Sequence, residues 1–148
     1  MLHEELTNKI IGAFFKVYNS LGYGFLEKVY ENAMKIELSR MGLKVDQQKS
    51  IKVFYDEHNV GDYFADLIVN DLVILELKAA ESICEEHEAQ LLNYLKATDK
   101  EVGLLFNFGK EVKFVRKVFS NENKKSAMIP ASTSEARRAL NQRSFAFY

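Results

Sequence analysis

Two apolar runs in the middle of the chain constrain its fold more than any other feature. Residues 63–69 and 72–77 are rich in β-branched and large apolar side chains, and the pair Asn70-Asp71 separates them, so they predict a β-hairpin. Both faces of these strands are apolar, and a strand buried on both faces needs other elements packed on each side of its sheet. The runs therefore predict a sheet that is covered on two sides.

Helical periodicity supplies the covering elements. Apolar residues recur at helical intervals from Leu2 to Leu21 and from about Leu26 to Met41, and glycines follow both segments, as is common after helix ends. A third helix is expected from about Ser82 to Ala97, where leucines mark a buried stripe and glutamates near the start suit the helix dipole.

Alternating or apolar segments predict the remaining strands. Residues 51–55 alternate and are followed by a turn at 56–59, and residues 102–108 and 112–119 flank a Gly-Lys turn. The predicted order is α-α-β-β-β-α-β-β, which gives an α/β (α+β) fold with a mixed β-sheet flanked by helices. We expect one domain over residues 1–119.

The composition becomes polar at residue 120, and the cysteine content and hydropathy of the chain indicate the compartment in which the protein is found. Residues 120–148 predict a polar linker, and the capping-box spacing of Ser132 and Glu135 predicts a short C-terminal helix. The single cysteine, Cys84, excludes an intrachain disulfide, and no apolar run reaches the length of a membrane span. We therefore expect a soluble, cytoplasmic protein with no membrane contact.

Three polar residues lie within or directly after the apolar hairpin, and their relative placement depends on the turn. Glu76 and Lys78 lie two positions apart, so strand alternation puts them on one face. A two-residue loop would leave Asp66 and Glu76 on opposite faces. A three-residue loop at residues 70–72 would instead pair Asp66 with Glu76 and bring all three polar groups together. Both loop lengths are common, so the pattern leaves both open.

Two neighbouring carboxylates on a buried sheet favour a bound cation. Such acids repel each other and are costly to desolvate unless a divalent cation binds between them. An all-oxygen set from Asp66, Glu76 and a backbone carbonyl suits Mg²⁺ or Mn²⁺ rather than zinc. The alternative is that Asp66 lies on an exposed edge strand and that Glu76 and Lys78 form a surface ion pair.

Several segments, taken in order, resemble a known family. These are Gly24-x-x-Glu27-x-x-Tyr30, Asp66, Glu76-Leu77-Lys78, Gln90-Leu91-Leu92-Asn93-Tyr94-Leu95 and the strand-like segment 103–109. Together they resemble the GxxExxY family of PD-(D/E)XK nuclease-like proteins, over about Leu2 to Phe119. Ala65 stands where the name of the superfamily has proline, a position that often varies.

The resemblance implies a restriction-endonuclease-like core with a metal-dependent phosphodiesterase site at the splayed edge of the sheet. It implies that Asp66, Glu76 and the carbonyl of Leu77 hold Mg²⁺ or Mn²⁺. Glu27 looks like the acid on a helix that completes the metal site, directly or through water. The alternative for Glu27 is an ordinary exposed glutamate.

The remaining motif residues are assigned by the same resemblance. Lys78 looks like the signature lysine, which would orient or help deprotonate the attacking water, and Gln90 looks like the residue that positions the phosphate. Tyr94, Tyr30 and His87 are the candidate substrate contacts. For His87 we favour an ordinary helix residue that is hydrogen-bonded or solvated over a phosphate contact.

The implied activity is that of a metal-dependent nuclease that hydrolyses phosphodiester bonds of nucleic acid, DNA in preference to RNA. The alternative is a binding or interaction module that keeps the fold without cutting. The formal net charge of -1 weakens the case for a nucleic-acid partner without excluding one. A homodimer or another protein partner is compatible with both readings.

Overall fold

The computed structural model describes residues 1–124 as a five-stranded sheet with three helices. The elements are α1 (Glu4–Leu21), α2 (Glu27–Arg40), β1 (Val45–Tyr55), β2 (His58–Val69), β3 (Val73–Lys78), α3 (Glu85–Lys96), β4 (Val102–Phe108), β5 (Val112–Val118) and a short 3₁₀ helix, Asn121–Asn123. Their order confirms the predicted mixed α+β fold. Within this part of the chain, no helix combines the length and the apolarity needed to cross a membrane.

The sheet has the strand order β1-β2-β3-β4-β5. Strands β3 and β4 pair in parallel, which requires a crossover connection, and α3 provides it. The other neighbouring strands are antiparallel. Strand β2 pairs with β1 along nearly its whole length but with β3 only over Leu67–Val69. The outer part of the β1–β2 hairpin therefore extends beyond the pairing with β3.

Side-chain alternation in the central strands feeds two hydrophobic cores. Leu75 and Leu77 of β3 join the core that packs under α1 and α2, where Phe14 stacks on Phe106 with ring centroids 4.5 Å apart. Ile74 faces the other way and joins the core that packs under α3. The predicted two-sided covering of the sheet is thus confirmed.

Strands β1 and β2 are longer than their apolar patterns predict. β1 begins at Val45 instead of near Ile51, and its added residues 46–50 are polar. As an edge strand, β1 has no need of an apolar residue at every second position. β2 begins at His58, because the expected turn at 56–59 is shortened to two residues, Asp56 and Glu57, both with positive φ.

The chain after β5 begins as a packed turn. Lys124 is buried, and its Nζ donates to the carbonyl oxygens of Thr98 at 2.7 Å and Lys100 at 2.6 Å. The chain is thereby tied, as far as Lys124, to the loop between α3 and β4. The rest of the expected linker and the expected C-terminal helix, residues 125–148, lie outside the described residues.

Candidate active site

The loop between β2 and β3 brings the two candidate metal-binding acids together. It has three residues, 70–72, and it pairs Val69 with Val73, so the register sets Asp66 opposite Glu76. At that point side chains replace the ladder of main-chain hydrogen bonds. The N–H of Leu77 donates to Oδ2 of Asp66 at 2.8 Å, and the N–H of Asp66 donates to Oε1 of Glu76 at 3.3 Å. Of the two loop lengths, the structure has the one that joins the acids.

Burial and neighbouring negative charges disfavour the ionised forms of both acids. Glu76 is only 5% exposed, and burial, followed by the charge of Asp66, raises its pKa to about 9. Burial also raises the pKa of Asp66, with a further contribution from the charge of Glu31. The charge of Lys78 lowers both pKa values. The two carboxyl groups therefore retain a proton near neutral pH, and a metal cation that binds between them would have to displace it.

A third carboxyl group, that of Glu31 on α2, lies next to the pair. Glu31 is buried, and its Oε1 accepts a hydrogen bond from the Nε2 of Gln48 at 2.6 Å. The same Nε2 donates to Oδ1 of Asp66 at 3.3 Å, so Gln48 bridges the two acids. Oε2 of Glu31 accepts from Gln47 and from the ammonium of Lys28 at 2.6 Å. Sequence reasoning had singled out Glu27, and Glu31 was missed.

The glutamate and tyrosine positions of the Gly-x-x-Glu-x-x-Tyr segment, Glu27 and Tyr30, lie in different surroundings. Glu27 is exposed at the start of α2, and within residues 1–124 its side chain makes no hydrogen bond or ion pair. Tyr30 is fully buried and stacks on Phe108 at 4.4 Å. Its hydroxyl donates to the carbonyl of Gly22 at 2.6 Å and accepts from the N–H of Phe25 at 3.2 Å. This placement leaves Tyr30 no surface for the expected substrate contact, and its role is to hold the α1–α2 loop.

Lys78 closes β3 on the side of the two acids. It is partly exposed and lies in register with Asn107 of the neighbouring strand β4. Its charge acts on both Asp66 and Glu76, but among the described residues it forms no ion pair. Together with the burial of Glu76, this excludes the alternative of a Glu76–Lys78 surface ion pair. The ammonium group is therefore available to a ligand.

The segment after Lys78 is fixed by Asn107, a fully buried residue of β4. Its amide oxygen accepts from the N–H of Ala80 at 3.0 Å, and its amide nitrogen donates to the carbonyls of Ala80 and Glu111, each at 3.0 Å. These three bonds satisfy a buried amide and hold the end of β3 against the β4–β5 turn. These three hydrogen bonds, the Asn107 clamp, hold the chain two residues beyond Lys78.

Helix α3 faces the acid pair with Gln90 and Tyr94. Nε2 of Gln90 donates to the hydroxyl of Tyr94 at 2.6 Å. Burial raises the pKa of Tyr94, and the charges of Glu76 and Asp66 raise it further. His87, one turn earlier, accepts a hydrogen bond at Nδ1 from the N–H of Cys84 at 3.3 Å. His87 is thus hydrogen-bonded within its helix, and the expected phosphate contact stays a prediction.

A cavity of about 660 Å³ adjoins this part of α3. It opens between α3 and the outer part of the β1–β2 hairpin, and both Gln90 and Tyr94 line it. Tyr63 contributes a wall from the hairpin. Its ring centroid lies 5.8 Å from that of Tyr94. The candidate active site therefore has a concave neighbour large enough for part of a ligand.

The chemistry of the acid pair fits a hard divalent cation. Asp66 and Glu76 offer carboxylate oxygens, and Leu77 offers a main-chain carbonyl, which are ligands that Mg²⁺ and Mn²⁺ prefer. In the part of the chain that the structure describes, no three acidic, histidine or cysteine side chains converge as a metal centre. Mg²⁺ commonly binds proteins through one or two carboxylates and retains several waters. A cation bound between the two carboxyl groups would replace the retained proton and offset the free-energy cost of burying two negative charges.

Comparison with known proteins identifies the family. The model of the PD-(D/E)XK nuclease superfamily matches residues 4–118, which include all five strands and α1–α3. No curated protein and no solved structure matches the chain. The family match and the geometry of the acid pair are therefore the two observations that bear on function.

Proposed function

We propose that the chain, which belongs to the PD-(D/E)XK nuclease superfamily, is a divalent-metal-dependent nuclease that hydrolyses phosphodiester bonds, in DNA in preference to RNA. The observation that carries the proposal is the apposition of Asp66 and Glu76 where β2 and β3 separate, with Lys78 on the same strand as Glu76. Nucleases of this superfamily generally use divalent metals. The donor set described above is compatible with that use.

The proposed roles follow from the chemistry of each side chain. Asp66 and Glu76, with the carbonyl of Leu77, hold Mg²⁺ or Mn²⁺, which supplies Lewis-acid activation of water and neutralises phosphate charge. Lys78 binds a phosphate oxygen and stabilises the negative charge that develops in the transition state. Gln90 and Tyr94 orient the substrate from α3.

The same proposal assigns the chain to the GxxExxY subfamily. The motif Gly24-x-x-Glu27-x-x-Tyr30 and the later segments support this assignment. Glu31, four residues after Glu27, is the α2 carboxyl group that acts on Asp66, through Gln48 and through its charge. We therefore assign Glu31 a positioning role that the motif itself does not name.

A cleavage panel tests the proposal. Labelled single-stranded and double-stranded DNA and RNA are incubated with the purified protein in Mg²⁺ or Mn²⁺, with EDTA as the metal-free control. We expect metal-dependent cutting that Lys78→Ala and Glu76→Gln each reduce by about 100-fold or more. Lys35→Ala, at an exposed position on α2, is the matched control and should retain activity. Cutting that survives both site variants would contradict the proposed roles.

A second candidate is a binding module that does not cut. It is favoured by one observation: the carboxyl group of Glu31 is already engaged by Gln47, Gln48 and Lys28, so the site lacks a third carboxylate among the described residues to strengthen metal binding. If the folded protein binds nucleic acid but cuts none of the panel in either metal, this second function replaces the first.

A further inference from the structure

The cavity beside α3 has walls that suit an aromatic ring. Tyr63 is 48% exposed, and its ring lies at 47° to that of Tyr94, so the two rings do not stack on each other. Gly61 lies beside Tyr63, and a Cβ at this position would come within 3.1 Å of the Tyr63 ring. Glycine thus leaves room for that ring at the cavity wall. An exposed tyrosine face stacks well on a nucleobase.

Amide groups at the same cavity suit the edge of a base. Nε2 of Gln90 is bonded to Tyr94, whereas its Oε1 makes no hydrogen bond within residues 1–124. Asn93, an exposed residue of α3, also lines the cavity, and its amide has no hydrogen-bond partner in the same range. Amides both donate and accept, as the Watson–Crick edges of bases do. In a duplex those edges are already paired.

The charge at the cavity disfavours a phosphate inside it. Glu86 lines the cavity and carries an exposed carboxylate, which repels phosphate but can accept a hydrogen bond from a base amino group. The charges of Glu76 and Asp66 act on Tyr94, so the acid pair lies near this wall of the cavity, and with Lys78 and a bound cation it would offer a phosphate its place. The two regions therefore differ in the part of a nucleotide that each can accept.

We propose that the cavity receives one unpaired nucleobase of a substrate strand whose neighbouring phosphodiester lies at Asp66 and Glu76. The inference rests on the proposed nuclease function and specifies its substrate as single-stranded or locally unpaired nucleic acid. Tyr63 stacks on the base, while Gln90 and Asn93 bond its edge. A base held in this way fixes the strand relative to Lys78.

A binding experiment tests base capture without cutting. A short oligodeoxynucleotide that carries 2-aminopurine at its centre is titrated with protein in EDTA, and its fluorescence reports both binding and stacking. We expect quenching and tight binding of the single strand. As competitors of this strand, the same sequence in a duplex and the same strand with an abasic site in place of 2-aminopurine should each bind at least ~10-fold more weakly. An oligoribonucleotide arm separates RNA from DNA as the source of the base.

Matched variants assign the effect to the cavity. Tyr63→Leu should weaken binding of the single strand at least ~10-fold, whereas Tyr55→Leu, on the same hairpin but outside the cavity, should not. Asn93→Ala, at an exposed helical position that tolerates alanine, gives a second variant whose folding is secure. Circular dichroism checks all three.

The outcomes separate this inference from the proposed function. Equal binding of the abasic and intact strands, or unchanged binding by Tyr63→Leu and Asn93→Ala, overturns base capture. The readout needs no cleavage, so a protein that fails the cleavage panel can still capture a base. An active nuclease that binds duplex and single strand equally retains its function and loses this inference.

Discussion

Glu76 is a carboxyl group whose surroundings favour the protonated form, and this predicts an unusual pH dependence of stability. Its pKa is raised from 4.5 to about 9, so proton binding stabilises the folded state. This contribution is complete below pH 4.5 and is lost as the pH rises towards 9. In EDTA, Glu76→Gln should remove that loss and make the protein more stable than the wild type at pH 8.5, but not at pH 4.5.

Urea unfolding at a series of pH values measures this effect. Glu81→Gln changes an exposed glutamate shortly after β3, and its pH curve should follow that of the wild type. If the free energy of unfolding of Glu76→Gln runs parallel to the wild-type curve over the whole range, then Glu76 is ionised in the folded protein and the assignment is wrong.

Glu31 offers a second prediction at the scale of single residues. Its charge raises the pKa of Asp66, so Glu31→Gln should lower the pKa of Asp66. The ¹³C chemical shift of the Asp66 carboxyl group, followed against pH in metal-free protein, measures the change. Glu27→Gln, one turn earlier and exposed, is the control and should leave the titration of Asp66 in place. The same midpoint in both variants would contradict a role for Glu31.

The sequence contained a signal for Glu31 that the family motif obscured. Glu31 precedes the fully buried Met34 by three positions and the fully buried Leu38 by seven, which places it on the buried stripe of α2. A carboxyl group on such a stripe needs partners. Its partners, Gln47 and Gln48, could not be foreseen, because they lie in the polar first part of β1, which no apolar pattern predicts.

At the scale of elements, periodicity was sufficient for the order of helices and strands but not for their relative register. The acid pair depended on the length of one loop, and the observed loop uses positive φ at Asn70 and Asp71. Oδ1 of Asn70 also accepts from the N–H of Lys44 at 2.8 Å, a contact with the segment before β1. A long-range contact of this kind supports the three-residue loop, and local sequence does not reveal it.

The turn after β4 gives a prediction about packing between elements. A Cβ added at Gly109 would overlap the carbonyl oxygen of Ala80, a backbone atom that Asn107 holds in place. Gly109→Ala should therefore destabilise the protein by about 1–3 kcal/mol, as overpacking typically does. Gly12→Ala in α1 has open space around the new methyl group and should stabilise by about 0.5–1 kcal/mol through helix propensity.

Urea unfolding of both glycine variants at one pH distinguishes these effects. The opposite signs exclude a general response to alanine, since both substitutions add the same methyl group. Equal stability of Gly109→Ala and the wild type would mean that the segment after β3 shifts freely, and that the clamp does not fix the end of β3.

At the scale of the whole molecule, the acid pair interacts with helices on both faces of the sheet. Nε2 of Gln48 donates hydrogen bonds both to Asp66 and to Glu31 on α2. The charge of Asp66 also acts on Tyr94 of α3. The site thus depends on elements from both sides of the sheet. Linear motifs identified Asp66, Glu76, Lys78 and Gln90 as candidates, but their convergence required the assembled fold.

This placement predicts that metal binding at the acid pair releases a proton. It also predicts that metal binding stabilises the whole domain. A divalent cation that binds the folded state raises the free energy of unfolding, by about 2.7 kcal/mol at one hundred times its Kd. Because the pKa of Glu76 is about 9, the cation must displace a proton, so binding weakens as the pH falls. Mn²⁺ should therefore raise the midpoint of thermal unfolding more at pH 8.5 than at pH 5.5.

Three measurements separate this coupling from a general salt effect. KCl at matched ionic strength controls for screening, and Asp66→Asn and Glu76→Gln should each lose most of the Mn²⁺ effect on thermal unfolding. Titration calorimetry of the wild type at pH 7.5, in two buffers of different ionisation enthalpy, should detect about one proton released for each Mn²⁺ bound. Binding without proton release would place the cation away from Glu76, since a carboxyl group protonated at that pH must lose its proton to become a ligand.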